Sequence, residues 1–254
     1  LPNPALYKTM PEAYIGMGLT AENVAKKFNI ARKAQEDFAL ASHRKAAAAN
    51  FAEEIVAIAV TSRQSPVASG GVTMVTQDGT IRGNSTAEDL AKLNPAFDVY
   101  GTVTAGTSSP LTDGAAAVIV ASEDYAKKHK LPILAVIKAM AITGLEPGLM
   151  GLGPITASQK ALKRAGLTIK DMDVIELNEA FAAQSLPCIE QLGCDISNVN
   201  TEGGAIALGH PLGASGARIT GKAALLLSRG KGKYALATAC IGGGQGIATI
   251  LERA

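Results

Sequence analysis

The chain has 254 residues, a formal net charge of +2, 47% hydrophobic and 18% charged residues, and three cysteines. This excludes a disordered chain and leaves no basic surplus for nucleic acid, and no apolar run is long enough for a membrane span. Cys188, Cys194 and Cys240 are too few and too oddly spaced for a disulfide framework or a zinc site, so no metal and a reducing, cytoplasmic location are expected.

The chain opens at Leu1 rather than methionine, and removal of upstream sequence, with any targeting signal it held, is the expectation. Thr20 is placed to cap a helix running to Phe28, with Val24 and Phe28 on one face. A second helix is expected from about Lys33 to Ala49, with Ala34, Phe38 and Ala41 as its stripe. Glu54–Val60 reads as a strand. Residues 61–110 are rich in Gly, Ser, Thr and Pro and read as loops with short elements. Beyond Asp113, Ala115–Ala121 and Ile133–Ile137 are apolar runs that suit strands buried on both faces. A helix at Ala157–Ala165, stopped by Gly166, leads to a strand at Asp173–Leu177 and a helix at Glu179–Leu192, bent by Pro187. A glycine-rich loop, 203–213, precedes a helix at Ala214–Arg229. Lys233–Cys240 and Gly246–Glu252 close the chain as strands joined by a glycine turn. This order predicts an α/β fold, layered and with a mixed sheet; no internal repeat is evident.

Chemistry concentrates where loops leave strands. His210, between Gly209 and Pro211, carries an imidazole able to accept a proton near neutral pH, or simply to hydrogen-bond within its loop. Cys240 ends an apolar strand. It can be core packing, but the glycines behind it let backbone N–H groups approach a ligand, as an oxyanion hole requires, and a thiolate beside them can be base or nucleophile. Cys188 and Cys194 lack that setting and read as structural. The glycines lack the strand–GxGxxG–helix context of a dinucleotide site and the Gly-Lys-Ser/Thr of a phosphate loop. No acidic pair sits in a comparable loop, which disfavours a paired-carboxylate hydrolase.

Together these loops resemble the thiolases, the acetyl-CoA C-acyltransferases. GGAIALGHPLGASGARI at 203–219 is similar to that family's histidine signature, NEAFAAQ at 178–184 to its NEAF motif, and CIGGGQG at 240–246 to its C-terminal cysteine motif. GTVTAG at 101–106 and DGAA at 113–116 match the segment leading out of its loop domain. The resemblance implies a layered αβα C-terminal half over 133–254, a mostly helical, coenzyme A-binding loop domain over 1–110, and a returning strand and connection over 111–132. It implies thiolytic cleavage of 3-ketoacyl-CoA by coenzyme A, or the reverse Claisen condensation. No cofactor is implied, coenzyme A being a substrate, and a homo-oligomer is. Cys240 would be the acid/base and His210 the residue that activates the nucleophile and binds the thioester oxygen. Asn178 would complete that oxyanion hole through a water, and the Gly242 amide would serve a second. Met17, Arg82 and Ser109 would lie along the coenzyme A site, and Met150 and Phe181 would line the acyl pocket.

The departures shape the expectation further. Nothing in the chain resembles the context of the family's nucleophilic cysteine. The chain is therefore expected to act with a missing N-terminal half or a complementary subunit and to be inactive alone. A non-catalytic coenzyme A-binding scaffold is the alternative. Glu202 also stands where many members carry a neutral residue.

Overall fold

Segments that alternate between two apolar faces build a mixed sheet in the second half of the chain. The structure, a computed structural model, describes residues 2–61 and 72–254. Among them the helices are α1 (Pro4–Thr9), α2 (Met17–Lys27), α3 (Arg32–Ala48), α4 (Ala87–Ala91), α5 (Glu123–Lys128), α6 (Gly153–Ala165), α7 (Ala182–Leu192), α8 (Ala205–Leu208) and α9 (Leu212–Ser228). The strands are β1 (Ile58–Thr61), β2 (Val72–Val75), β3 (Ala135–Gly144), β4 (Val174–Leu177), β5 (Tyr234–Ile241) and β6 (Gln245–Arg253). β1 and β2 form an antiparallel pair of their own. The larger sheet has the order β3-β6-β5-β4, antiparallel except between β4 and β5, which run parallel.

The strand period of two sorts side chains into two cores. Ile175, Leu177, Leu236 and Ile250 pack with Ala157, Ala161 and Leu162 of α6 and Cys188 and Ile189 of α7. Val174, Ala235, Ala237 and Leu251 pack with Ile219, Ala223, Leu226 and Leu227 of α9 on the other side. The result is the expected αβα layering around a mixed sheet, behind a mostly helical first part. Burying a side chain such as Leu226 fully is worth about 1.5–3 kcal/mol.

One close approach fixes α6 against the sheet. A Cβ on Gly246 would lie 2.1 Å from the Gly153 carbonyl oxygen, and one on Gly153 would lie 2.3 Å from that of Gln245. Only two bare backbones fit there. Gly246→Ala is expected to destabilise the fold by about 1–3 kcal/mol through overpacking, read as a lower midpoint in urea. An unchanged midpoint would mean that α6 can slide away freely.

Several expectations are corrected. The helix expected to be capped by Thr20 begins at Met17 with Gly16 at its cap, and the Thr20 hydroxyl donates to the Met17 carbonyl oxygen at 2.6 Å. α3 buries Gln35, Ala39, Ser42, His43 and Ala46, while Ala34 and Ala41 are exposed. Alanines add little burial energy, so the face whose Gln35 and Ser42 find internal partners turns inward. The strand expected from Glu54 starts at Ile58, because the Glu54 and Ile55 amides turn back to the Phe51 carbonyl. The helix expected from Glu179 starts at Ala182, Glu179 being tied into a loop, and the 203–213 loop contains α8. Of the expected 61–110 loops, residues 62–71 lie outside the described residues.

The largest correction concerns the two apolar runs. Ala115–Ala121 forms no strand and is exposed, Ile119 to 90%. In the other run the strand begins at Ala135, and Val136 and Ile137 are exposed because β3 is an edge strand that, among the described residues, pairs only with β6. An apolar run becomes a doubly buried strand only where neighbours pair and cover it. Among the described residues, none pairs with 115–121.

Candidate active site

The parallel pairing of β4 and β5 sets two loops side by side. Leu177 lies opposite Thr238, and the Asn178 amide donates to the Thr238 carbonyl at 2.9 Å. Asn178 therefore leaves the sheet at the same, C-terminal strand end near which Cys240 still pairs with Gly246 of β6, and open α/β sheets place ligands at such ends. The loop after β4 is locked by Glu179. Its Oε1 accepts from Asn200 Nδ2 (2.7 Å), and its Oε2 accepts from the Ser42 hydroxyl (2.6 Å) and the Ile206 amide (3.2 Å). Burial pushes the Glu179 carboxyl up, against the pull of these bonds.

His210 comes from the loop after α8. Gly209 ahead of it has φ +92°, and a Cβ there would meet the Thr112 side chain at 2.5 Å, so a non-glycine residue would be strained and blocked. The His210 amide donates to Thr112 Oγ1 at 2.9 Å. Asn178 Nδ2 lies 3.2 Å from His210 Nε2, and His210 Nδ1 lies 2.6 Å from Ser215 Oγ. An amide nitrogen only donates, so Nε2 accepts and Nδ1 carries the proton to Ser215, whose hydroxyl donates to the Pro211 carbonyl at 3.2 Å. Burial, and then the nearby charge of Arg218, hold the imidazole below the usual histidine range. The arrangement is a neutral imidazole beside an open cavity of about 490 Å³ lined also by Leu111, Thr112, Asp113 and Leu212.

Cys240 packs, partly buried, against a cluster that includes Ala21, Val103, Met150 and Phe181, and both residues expected to line an acyl pocket belong to that cluster. Burial pushes its thiol up to about 11, so it keeps its proton at neutral pH. Gly242 is exposed in the following turn, and a Cβ on it would lie 3.5 Å from the Met17 sulfur. Ser109 donates through its amide (2.9 Å) and hydroxyl (3.1 Å) to the Ala180 carbonyl, binding the 104–109 segment to the loop after β4. Arg82 stands apart: it is exposed, and its amide donates to His43 Nδ1 at 3.1 Å.

Sequence reasoning missed Ser215, Thr112, Glu22 and Phe97. Glu22 accepts the Thr102 amide at 3.0 Å and the Val103 amide at 2.8 Å, fixing the strand-like entry to the 104–109 segment. Phe97 meets Phe181 edge to face, ring centres 5.8 Å apart. Ser215 alone had a signal, standing one helical turn after Pro211.

A family model of the thiolase C-terminal domain matches residues 131–253, and one of the thiolase N-terminal domain matches residues 5–124. Both domains are thus represented. A 3-ketoacyl-CoA thiolase of Vibrio vulnificus (strain YJ016) is 51% identical over 259 residues, covering 99% of this chain and 66% of the relative. One from Vibrio cholerae serotype O1 (strain ATCC 39541 / Classical Ogawa 395 / O395) is 52% identical with the same coverage. The crystal structure of human mitochondrial 3-ketoacyl-CoA thiolase superposes with a TM-score of 0.89 at 45% identity, covering 98% of this chain and 63% of that one. The same human enzyme in complex with CoA gives 0.88 and 44%, over 98% and 62%. The chain spans slightly less than two thirds of the length of these relatives.

Proposed function

Since the chain belongs to the thiolase family, both of whose domain models it matches, we propose that the protein carrying it cleaves 3-ketoacyl-CoA with coenzyme A, or runs the reverse condensation. One observation carries this reading: Asn178 donates to a neutral His210 at the strand end near which Cys240 also lies. Claisen chemistry needs an acyl carrier, a proton donor and acceptor at the α-carbon, and donors for two developing oxyanions. In the cleavage direction the acyl-carrying thiol, its proton passing to His210 and returning when the acyl group leaves, attacks the 3-keto carbon. The C2–C3 bond then breaks, leaving an acyl thioester on the enzyme, and the departing acetyl-CoA carbanion takes a proton. Cys240, whose thiol holds its proton, supplies it. The thiolate so formed takes the proton of the incoming coenzyme A, whose sulfur then carries off the acyl group. Asn178 and His210 line the thioester oxygen, and Gly242 the second oxyanion. Met17, Arg82 and Ser109 are the proposed coenzyme A contacts, with Met150 and Phe181 along the acyl chain. The relative solved with CoA supports that ligand.

The acyl-carrying thiol is proposed to lie outside residues 1–254. Cys188 is fully buried within α7, its thiol donating to the Gly151 carbonyl and pushed well up by burial. Cys194 is pushed up to about 11, again by burial. Burial disfavours the thiolate at both. Residues 1–254 alone are expected not to cleave 3-ketoacyl-CoA, whereas the protein supplying the remaining third is. The test follows loss of the 3-ketoacyl-CoA enolate absorbance for short and long chains. No cleavage by the longer protein would overturn the reading. Activity of 1–254 alone would overturn the placement of the nucleophile.

Cys240→Ser in the active protein is expected still to take an acyl group from acetyl-CoA, but to condense it about 10²–10⁴ times more slowly, since serine is a far poorer acid and base near neutral pH. Intact mass reports the acyl adduct and a coupled assay the condensation. Normal condensation in this variant would place the base elsewhere.

A further inference from the structure

The neutral imidazole of His210 can carry its one proton on either ring nitrogen, and only one choice leaves Nε2 free to accept another. Asn178 does not settle the choice. Its Nδ2 lies 3.2 Å from Nε2, but its Oδ1 is buried with no donor among the described residues, so the same amide turned over would accept a proton from Nε2. The other ring nitrogen has a fixed partner. Ser215, 2% exposed in the first turn of α9, places its Oγ 2.6 Å from Nδ1. That turn is closed at its start. The Ala214 and Ser215 amides donate to the Pro211 carbonyl at 2.9 Å and 3.0 Å, and the Ser215 hydroxyl reaches the same oxygen at 3.2 Å. The main chain of His210 is held separately: its amide donates to Thr112 Oγ1 at 2.9 Å, and the Thr112 hydroxyl donates to the Pro110 carbonyl at 2.7 Å.

We propose that Ser215 is a positioning residue that selects the tautomer of His210, keeping the proton on Nδ1 so that Nε2 meets the site bare. The hydrogen bonds decide between the two tautomers. With the proton on Nδ1, that nitrogen donates to Ser215 Oγ, the Ser215 hydroxyl donates to the Pro211 carbonyl, and Asn178 donates to Nε2. With the proton on Nε2, the Ser215 hydroxyl must turn from Pro211 to Nδ1 and the Asn178 amide must turn over, so one bond fewer is made. Without the serine hydroxyl the balance reverses. Each tautomer then keeps only the bond to Asn178, and a proton on Nδ1 of the half-buried ring is left without its acceptor, a cost the other tautomer avoids. Thr112 cannot make up the loss, because it holds the main chain and leaves the ring alone.

The use made of Nε2 rests on the thiolase reading, but the test reads the ring itself. In the longer protein carrying isotope-labelled histidine, the ring-nitrogen NMR signals of His210, assigned by their loss in His210→Asn, show which nitrogen bears the proton at about pH 8, where the imidazole is neutral. The parent is expected to hold it on Nδ1. Ser215→Ala is expected to move most of it to Nε2 and to lower kcat about 10²-fold, as for a misaligned catalytic group. KM should change little, since Ser215 does not line the cavity. Thr112→Val, which frees the main chain without touching the ring, is expected to leave the proton on Nδ1. A proton that stays on Nδ1 in Ser215→Ala would overturn the proposal whatever the rate. The same move in Thr112→Val would also overturn it, as a general loosening of the loop. Should the alanine variant not fold, Ser215→Cys, whose sulfur accepts only weakly, is read by the same criterion. If the proton moves as expected while the longer protein shows no cleavage, the thiolase reading fails and the role of Ser215 stands.

Discussion

His210→Asn in the active protein is expected to lower turnover by about 10²–10⁴-fold, the range for loss of a general base. The imidazole is set up for that role by its neighbours. Asn178 donates to Nε2, Ser215 takes up Nδ1, and burial with Arg218 disfavours the cation. Asparagine at 210 can still hydrogen-bond but cannot accept a proton near neutral pH. Each lost bond costs about 1 kcal/mol, so the thermal midpoint should move little while the rate collapses. A second signature follows from the lowered imidazole. Its stabilising contribution is present above the ordinary histidine pKa of 6.5 and is lost as pH falls through the depressed value in the folded state. Stability below pH 6.5 should therefore fall less steeply in His210→Asn than in the parent. Near-normal thiolysis in the variant would remove His210 from the chemistry.

Lys222→Met is expected to cost about 3 kcal/mol of stability, the low end of the range for removing one partner of a buried ion pair. Lys222 Nζ lies 2.5 Å from both Glu54 and Glu202 and 4.6 Å over the Phe51 ring. Without it two carboxylates face each other, and the 51–54 segment loses its anchor on α9. Glu202 keeps Arg229 at 3.3 Å, and Glu54 is 22% exposed, so the loss should not reach the top of the range. The pH dependence has a definite sign. Burial opposes ionisation of Glu202, but Lys222, Arg229 and Lys231 outweigh it and hold the carboxyl below its usual range. That contribution is present above the unfolded value near 4.5 and is lost as pH falls through the folded one. The gap between parent and variant should be widest near neutral pH and close on acidification, as urea midpoints at several pH values would show. A constant gap would mean that packing around the Lys222 stem, not charge, sets the effect. The same triad accounts for Glu202, the departure from the usual neutral residue, because a buried lysine awaits it.

The C-terminal half was largely legible because its signals are local. Gly166 stops α6, and the strands at 174–177, 234–241 and 245–253 alternate with helices whose apolar residues repeat at helical spacing. The motifs around Asn178 and Cys240 stand at strand ends that the parallel register of β4 and β5 sets together, and His210 joins them from the loop between α8 and α9. The helix start at Glu179 was misplaced for a nonlocal reason. Glu179 stays in a loop because Ser42, Asn200 and Ile206, all distant in sequence, occupy its carboxylate.

Local residue chemistry by itself determined a layered α/β fold with a mixed sheet and singled out His210 and Cys240 as candidates, and the motifs that resemble the thiolases added the αβα half and Asn178. Periodicity and motif spacing are written within a few residues of one another. Only the tertiary structure decided which apolar runs are covered, leaving 115–121 without a strand partner among the described residues and β3 at an edge of their sheet. It also decided that Ser215 and Thr112 hold His210, that Arg82 stands apart from the cluster, and that Lys222 and Glu202 meet in the interior. Burial, pairing and charge compensation depend on which segments meet in space, and a residue's own neighbours along the chain do not specify that.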